Sequence, residues 1–261
     1  MSEVLGHRAA RVAAAVKLHR TAHRARTRRF LAEGANLVSA AAARDLVVEV
    51  FVTEAAAARH RDLLGGLTAP VHRVTDRAAA TLSDTVTPAG LVAVCTLPGT
   101  DLAGVIAAQP RRVVIAVGVG EPGNAGTLIR LADALGADAV VLTGHSVDAF
   151  NGKCLRASAG SIFALPVVTD PDTEAVLSAV RTAGLQLLAT TPEGELDLAA
   201  AGPVLARPSA WLFGAEAHGL PADVAAAATH RVRIEMTGTA ESLNVAAAAA
   251  ICLYQSAQAQ R

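Results

Sequence analysis

Leu212-Phe-Gly-Ala-Glu-Ala-His-Gly-Leu-Pro221 and, shortly after it, Ile234-Glu-Met-Thr-Gly-Thr-Ala-Glu-Ser-Leu-Asn-Val-Ala246 are the stretches whose reading decides the fold of this chain. Each is an apolar strand that runs into a polar, Gly-bearing loop and then enters a helix. Glycine lets a backbone come close to a ligand, and the unpaired N–H groups at such loops suit a polar small molecule. Two consecutive loops of this kind, opening on one edge of a sheet, predict a binding crevice there.

Working outward, short apolar segments alternate with helical ones on both sides. Strands are expected over 113–119, 139–142, 164–168, 185–189, 210–213 and 232–235. Helices are expected near 125–135, 153–161, 172–183, 221–228 and 243–257. Near-continuous apolar strands separated by helices predict a parallel sheet buried on both faces. Upstream, residues 30–43 read as one apolar helical run, followed by strands at 47–53, 71–74 and 91–95 with helices at 55–64 and 76–82. The turn-rich Pro98-Gly-Thr-Asp101 separates the two regions, so the expected division is 1–98, a small α/β domain, and 99–261, the parallel-sheet domain.

The chain has 261 residues and a formal net charge of zero, but charge is unevenly spread. Arg8, Arg11, Lys17, Arg20, Arg24, Arg26, Arg28 and Arg29 follow one another with no acidic residue among them. Phosphate binding is largely sequence-independent electrostatics, so a local cluster matters more than the total. A solvated Arg-rich helix explains the same residues. Cys95, Cys154 and Cys252 lie far apart without ligand spacing, which supports neither a disulfide framework nor a metal site. The longest apolar run, 245–253, is too short to cross a bilayer, and no apolar signal core follows the start; the expected setting is the cytoplasm, without a membrane partner.

Gly118-Val-Gly-Glu-Pro-Gly123 matches the G-x-G-x-x-G of dinucleotide sites, after a strand and before a helix. Two details oppose that reading. Glu121 puts negative charge where phosphates would lie, and Pro122 lacks an N–H to bind them. The next strand, moreover, ends in Leu142-Thr143-Gly144 with no carboxylate for a ribose. Asn124 reads as an N-cap of the following helix and Ser242 as an N-cap of the last one. Leu128, Leu131 and Leu135 mark a buried stripe, which leaves Arg130 on another face, toward solvent or a ligand. Glu216 is open to capping or solvation.

Asn124-Ala-Gly-Thr-Leu-Ile-Arg130 and the two opening stretches, in this order, resemble the three motifs of the SpoU (TrmH-like) family of RNA ribose methyltransferases in the knotted SPOUT superfamily. Arg28-Arg-Phe-Leu-Ala-Glu-Gly34 is similar to the start of the small substrate-binding domain that many members carry. The resemblance implies a SPOUT domain with a C-terminal trefoil knot, preceded by a ribosomal-protein-like RNA-binding domain. It implies a transfer from S-adenosyl-L-methionine to a ribose 2′-hydroxyl, in ribosomal RNA or, alternatively, transfer RNA. By the same resemblance Asn124, Arg130, Glu216, Ser242 and Asn244 carry the reaction, while Thr190, Gly214, Ile234 and Leu243 hold the cofactor, mainly through backbone groups. No metal is implied, and members pair as homodimers through this domain. The competing readings are a non-catalytic RNA-binding or ribosome-assembly protein and, more distantly, a dinucleotide oxidoreductase.

Overall fold

The computed structural model describes residues 4–215 and 218–261. The chain divides into two compact units. The first comprises the chain up to Gly99 together with Phe150–Phe163, the second Thr100–Ala149 with Ala164–Arg261.

In the first unit, β1 (Arg29–Glu33), β2 (Val47–Val52), β3 (Val71–Arg73) and β4 (Leu91–Thr96) form a sheet in the order β1-β4-β2-β3. β4 runs antiparallel to both neighbours, and β2 is parallel to β3. The stretch 30–43, expected as one helix, is split. Phe30, Leu31 and Ala32 pair with Cys95, Val94 and Ala93 and are all buried. Gly34, at φ 90°, then turns the chain into the helix Ala35–Ala42. A run of consecutive apolar residues is compatible with either period, and pairing on an existing sheet decides for the strand. The helix Gly152–Ser158 also belongs to this unit, although it lies in the stretch expected for the parallel-sheet domain. Phe30 stacks near Phe150 and Phe163, with ring centroids 5.0 and 5.9 Å apart.

The second unit is a seven-stranded sheet in which every pair is parallel. Its strands are β5 (Arg112–Val117), β6 (Ala139–Thr143), β7 (Val167–Asp170), β8 (Gln186–Thr190), β9 (Leu196–Asp197), β10 (Ser209–Gly214) and β11 (His230–Arg233). Their order is β7-β6-β5-β10-β8-β11-β9. The central strands are buried along their whole length, as a sheet covered on both faces requires. β9 was not expected from the sequence; two residues are too few to show a period.

The helix Val245–Ala259 packs on the helix Pro122–Ala134, and its far end is locked to the sheet. Trp211 Nε1 donates to the buried Ser256 Oγ at 2.8 Å. The Arg112 guanidinium donates to Gln260 Oε1 at 2.9 Å, to Ser256 O at 3.4 Å and to Leu135 O. Gln260 Nε2 continues to Leu205 O and Arg207 O. Burial pulls the Arg112 pKa below the ordinary guanidinium value, with the Asp138 carboxylate opposing the shift.

Replacing Arg112 with Met keeps the stem and removes every guanidinium donor, so Leu135 O and Gln260 Oε1 lose the bonds it makes to them. Arg112→Met is expected to destabilise the second unit by about 2–4 kcal/mol. Urea unfolding followed by the fluorescence of Trp211, the one tryptophan of the chain, checks it.

Candidate functional site

The carboxyl ends of β10, β8 and β11 lie side by side, and each carries a residue expected at the site. Gly214 ends β10, Thr190 ends β8 opposite Val232, and Ile234 directly follows β11. Strands stand about 4.8 Å apart, so these three ends span roughly 10 Å, the width of a small ligand. Thr190 Oγ1 donates to Leu212 O at 2.6 Å, tying the end of β8 to β10. On the outer flank, Glu195 accepts from the Arg231 backbone N–H at 3.1 Å and from Arg231 Nε at 2.8 Å. Those bonds hold its carboxyl down at about 2 and steady the strand that leads into Ile234.

Gly214 has no room for a side chain. A Cβ there would lie 2.1 Å from the Gly219 carbonyl carbon and 2.3 Å from Leu220 N. The loop turns back on itself, with Gly219 N–H bonded to Ala215 O at 2.8 Å and Gly219 at φ 66°. Glu216 falls in this turn and lies outside the described residues.

Two helix starts meet, one of them following β5, the strand paired with β10. Glu121, not Asn124, caps the helix Pro122–Ala134, its carboxylate accepting from Asn124 N–H at 2.8 Å. Pro122 takes the first helical position, where its missing N–H costs nothing. Asn124 therefore sits inside the first turn. At the second start Asn244, not Ser242, is the N-cap, with Oδ1 accepting from Ala246 N–H at 2.9 Å. Its Nδ2 donates to Asn124 Oδ1 at 3.3 Å. Ser242 and Leu243 are exposed on the approach to this cap. The structure thus joins Asn124 to Asn244 and lines up Gly214, Thr190 and Ile234.

Arg130 stands apart. Six residues beyond Asn124 it lies about 9 Å further along the helix axis, exposed, with no ion pair or hydrogen bond among the described residues. The buried stripe of this helix is Ala125, Leu128, Ile129 and Ala132, whereas Leu131 and Leu135, expected inside, are half-buried.

The same geometry removes the dinucleotide reading. Gly118 N–H is bonded to Thr143 O at 3.1 Å and Val119 N–H to Ser146 Oγ at 3.1 Å, so the donors that a pyrophosphate needs are used. The capping carboxylate of Glu121 occupies the helix start where the anion would lie. Ser146, which also donates to Thr143 O at 2.7 Å, was not singled out by the sequence, because an isolated loop serine carries no spacing signal.

In the first unit, Arg24 leaves the basic cluster. It is buried, and its guanidinium donates to Leu18 O at 2.8 Å, His19 O at 2.9 Å and Thr21 Oγ1 at 2.9 Å. Arg11 pairs with Glu49 at 2.9 Å. Arg8, Lys17, Arg20, Arg26, Arg28 and Arg29 are exposed.

With this geometry in hand, comparison with known proteins is informative. The profile of the SpoU rRNA Methylase family matches residues 111–254, and that of the MRM3-like substrate binding domain residues 9–93. The chain is 34% identical over 242 residues to the 23S rRNA (guanosine(2553)-2'-O)-methyltransferase RlmP of Bacillus subtilis, covering 91% of the chain and 92% of that relative. A crystal structure of an RNA 2'-O ribose methyltransferase is 31% identical, with 98% of each chain covered and a TM-score of 0.82. The SpoU methyltransferase AviRb of Streptomyces viridochromogenes, solved in complex with the cofactor AdoMet, is 29% identical, covers 96% of this chain and 98% of its own, and has a TM-score of 0.84.

Gly214→Ala is expected to force the turn after β10 apart and destabilise the second unit by about 1–3 kcal/mol. Gly238→Ala, with nothing within 4 Å of the added Cβ, is the control. Thermal unfolding of the two variants beside the wild type separates a steric cause from a general loop effect.

Proposed function

This chain belongs to the SpoU rRNA methylase family, and we propose that it transfers the methyl group of S-adenosyl-L-methionine to a ribose 2′-hydroxyl of large-subunit ribosomal RNA. One observation carries the reading: the ends of β10, β8 and β11 and two helix starts converge, joined by the Asn244–Asn124 hydrogen bond. Gly214, Ile234 and Leu243 offer backbone N–H and C=O groups to the cofactor, and Thr190 borders them. Close backbone approach at Gly214 fits such a ligand, because there the chain leaves no volume for a side chain.

Bound S-adenosyl-L-methionine would supply an electrophilic methyl group on its sulfonium and leave as S-adenosylhomocysteine, the ribose 2′-hydroxyl giving up its proton to solvent as the new C–O bond forms. Arg130 belongs to the RNA side. Its planar fork suits a phosphate, so Arg130 holds the target phosphate and orients the hydroxyl. Asn124 and Asn244 fix the two helix starts around the acceptor, with Ser242 on the loop that leads into the last helix; Glu216 keeps the part that the family resemblance implies.

The exposed position of Arg130 supports a composite site, completed by a second copy of the chain. Beside the helix that bears it, the last helix presents Ile251, 39% exposed, and Tyr254, 54% exposed, one turn apart, and Leu243 precedes them. Large apolar side chains together on one exposed face suit a homodimer interface. A C-terminal trefoil knot belongs to the same reading. It is supported by the place of β10 between β5 and β8, and by the return of the last helix against the one following β5. The two units accord with a division of labour: RNA engaged through the exposed basic residues of the first, chemistry in the second. The cytoplasm suits this work. Cys95, Cys154 and Cys252 are free and buried, burial pushes the Cys95 thiol up to about 12, and among the described residues no helix is long and apolar enough to cross a membrane.

Arg130→Ala is expected to lower methyl transfer by about 100-fold or more while leaving the affinity for S-adenosylhomocysteine, measured by calorimetry, unchanged. Wild-type turnover in that variant removes Arg130 from the reaction. Ile251→Glu combined with Tyr254→Glu is expected to sediment as a monomer and to lose transfer with it; an active monomer contradicts the composite site.

A further inference from the structure

The first unit contains a cavity of about 250 Å³ that no part of the methyl-transfer site uses. Its walls are leucines (Leu18, Leu31, Leu37, Leu82) and the ring of Phe150. Its charged groups are Glu33, Asp84, Arg24 and Arg156, beside neutral polar side chains such as Ser83 and Asn151.

Glu33 is the informative one. Its side chain is only 9% exposed. Oε1 is saturated: it accepts from Ser83 Oγ at 2.6 Å, from Ala89 N–H at 3.2 Å and more weakly from Thr85 Oγ1 at 3.4 Å. Oε2 has no hydrogen bond among the described residues, and Arg156 Nη1 stands 3.9 Å from it. Oε2 meets only this long ion pair, so it keeps lone pairs for a further donor. Arg156 is itself paired to Asp84. The cavity thus offers apolar and aromatic walls, a carboxylate oxygen with room for a further donor and a guanidinium beside it. Lys17 and Arg20, both exposed, flank the Leu18–His19 stretch that forms part of its lining.

We propose that this cavity takes one unstacked base of the RNA, at a place apart from the nucleotide that is methylated. Single-stranded RNA is recognised by bases splayed out onto aromatic or guanidinium planes and bonded along their edges. The size falls just below the roughly 300–1,000 Å³ of drug-sized ligand sites, as one ring system requires. Every base carries a ring or exocyclic N–H next to an acceptor on its pairing edge. Glu33 Oε2 beside Arg156 meets that pair in any of the four, so the subsite holds a base without naming it. Lys17 and Arg20 take the flanking phosphates, which position the strand and do not specify it. The proposal rests on the assignment of RNA as the substrate.

The test uses the full-length chain and deproteinised ribosomal RNA. Ultraviolet crosslinking followed by nuclease trimming and mass spectrometry is expected to place a nucleotide adduct on the peptide containing Phe150. Glu33→Gln keeps an acceptor oxygen for Ser83 and Ala89 while turning the cavity-side atom into a donor; it should weaken RNA binding about three- to tenfold. Leu37→Phe fills the cavity and should remove the Phe150 adduct, with S-adenosylhomocysteine affinity unchanged in both variants. Should Glu33→Gln unfold, the wild-type adduct map and Leu37→Phe decide. Methyl transfer without any adduct at the cavity, or wild-type RNA affinity in the folded variants, overturns this inference alone. Absence of both RNA binding and methyl transfer overturns the substrate assignment with it.

Discussion

One amide, that of Asn244, bonds in two directions, and the arrangement of the second unit depends on it. Its oxygen caps the last helix at Ala246, and its nitrogen reaches Asn124 in the first turn of the helix after β5. Asn124 in turn gives its backbone N–H to Glu121. Two helix N-termini, each the positive end of its dipole, are thereby held against one another at the carboxyl edge of the sheet. The far end of the last helix is fixed independently by Trp211, Arg112 and Gln260. A helix held at both ends cannot slide, so the loop that enters it, with Ser242 and Leu243, has a fixed end point at Asn244. Preorganisation of this kind is what an in-line displacement needs, since misplacement by an ångström is costly in rate.

The first unit uses charge in the opposite way. Arg24 and one carboxylate oxygen of Glu33, Oε1, are turned inward and bonded to backbone and hydroxyl groups. Arg24 closes the turn between the first two helices, and Glu33 anchors the segment 83–89. The cations that remain outside, Arg8, Lys17, Arg20, Arg26, Arg28 and Arg29, are then displayed on a folded support.

Much of this was legible in the sequence, and the failures have identifiable causes. The strands of the second sheet were readable because burial on both faces leaves unbroken apolar runs, as at Val113–Val117 within β5. The stretch 30–33 misled because three consecutive apolar residues satisfy both periods; only the partner β4, sixty residues away in sequence, resolves it. Caps misled for a related reason. Glu121 competes with Asn124, and Asn244 with Ser242; each pair offers plausible acceptors, and the choice depends on where the first helical turn closes. Leu131 and Leu135 were expected inside, but the stripe runs through Ala125, Leu128, Ile129 and Ala132, since the small alanines allow the helix to sit closer to its neighbours. The grouping of 150–163 with the first unit depends on Phe30, Phe150 and Phe163 meeting, a long-range contact that no local pattern records. At the candidate site, motif order singles out Asn124 and Asn244, whereas their hydrogen bond and the structural part of Ser146 appear only in three dimensions.

The central claim concerns which atom receives the methyl group, and that can be read directly. Ribosomal RNA lacking the modification is incubated with the full-length protein and methyl-labelled S-adenosyl-L-methionine, digested to nucleosides and resolved by liquid chromatography with mass spectrometry. The account predicts label in a single 2′-O-methylated nucleoside, with the methyl mass on the ribose fragment and none on the base. Label on a base, or no transfer by folded protein that binds S-adenosylhomocysteine, contradicts it.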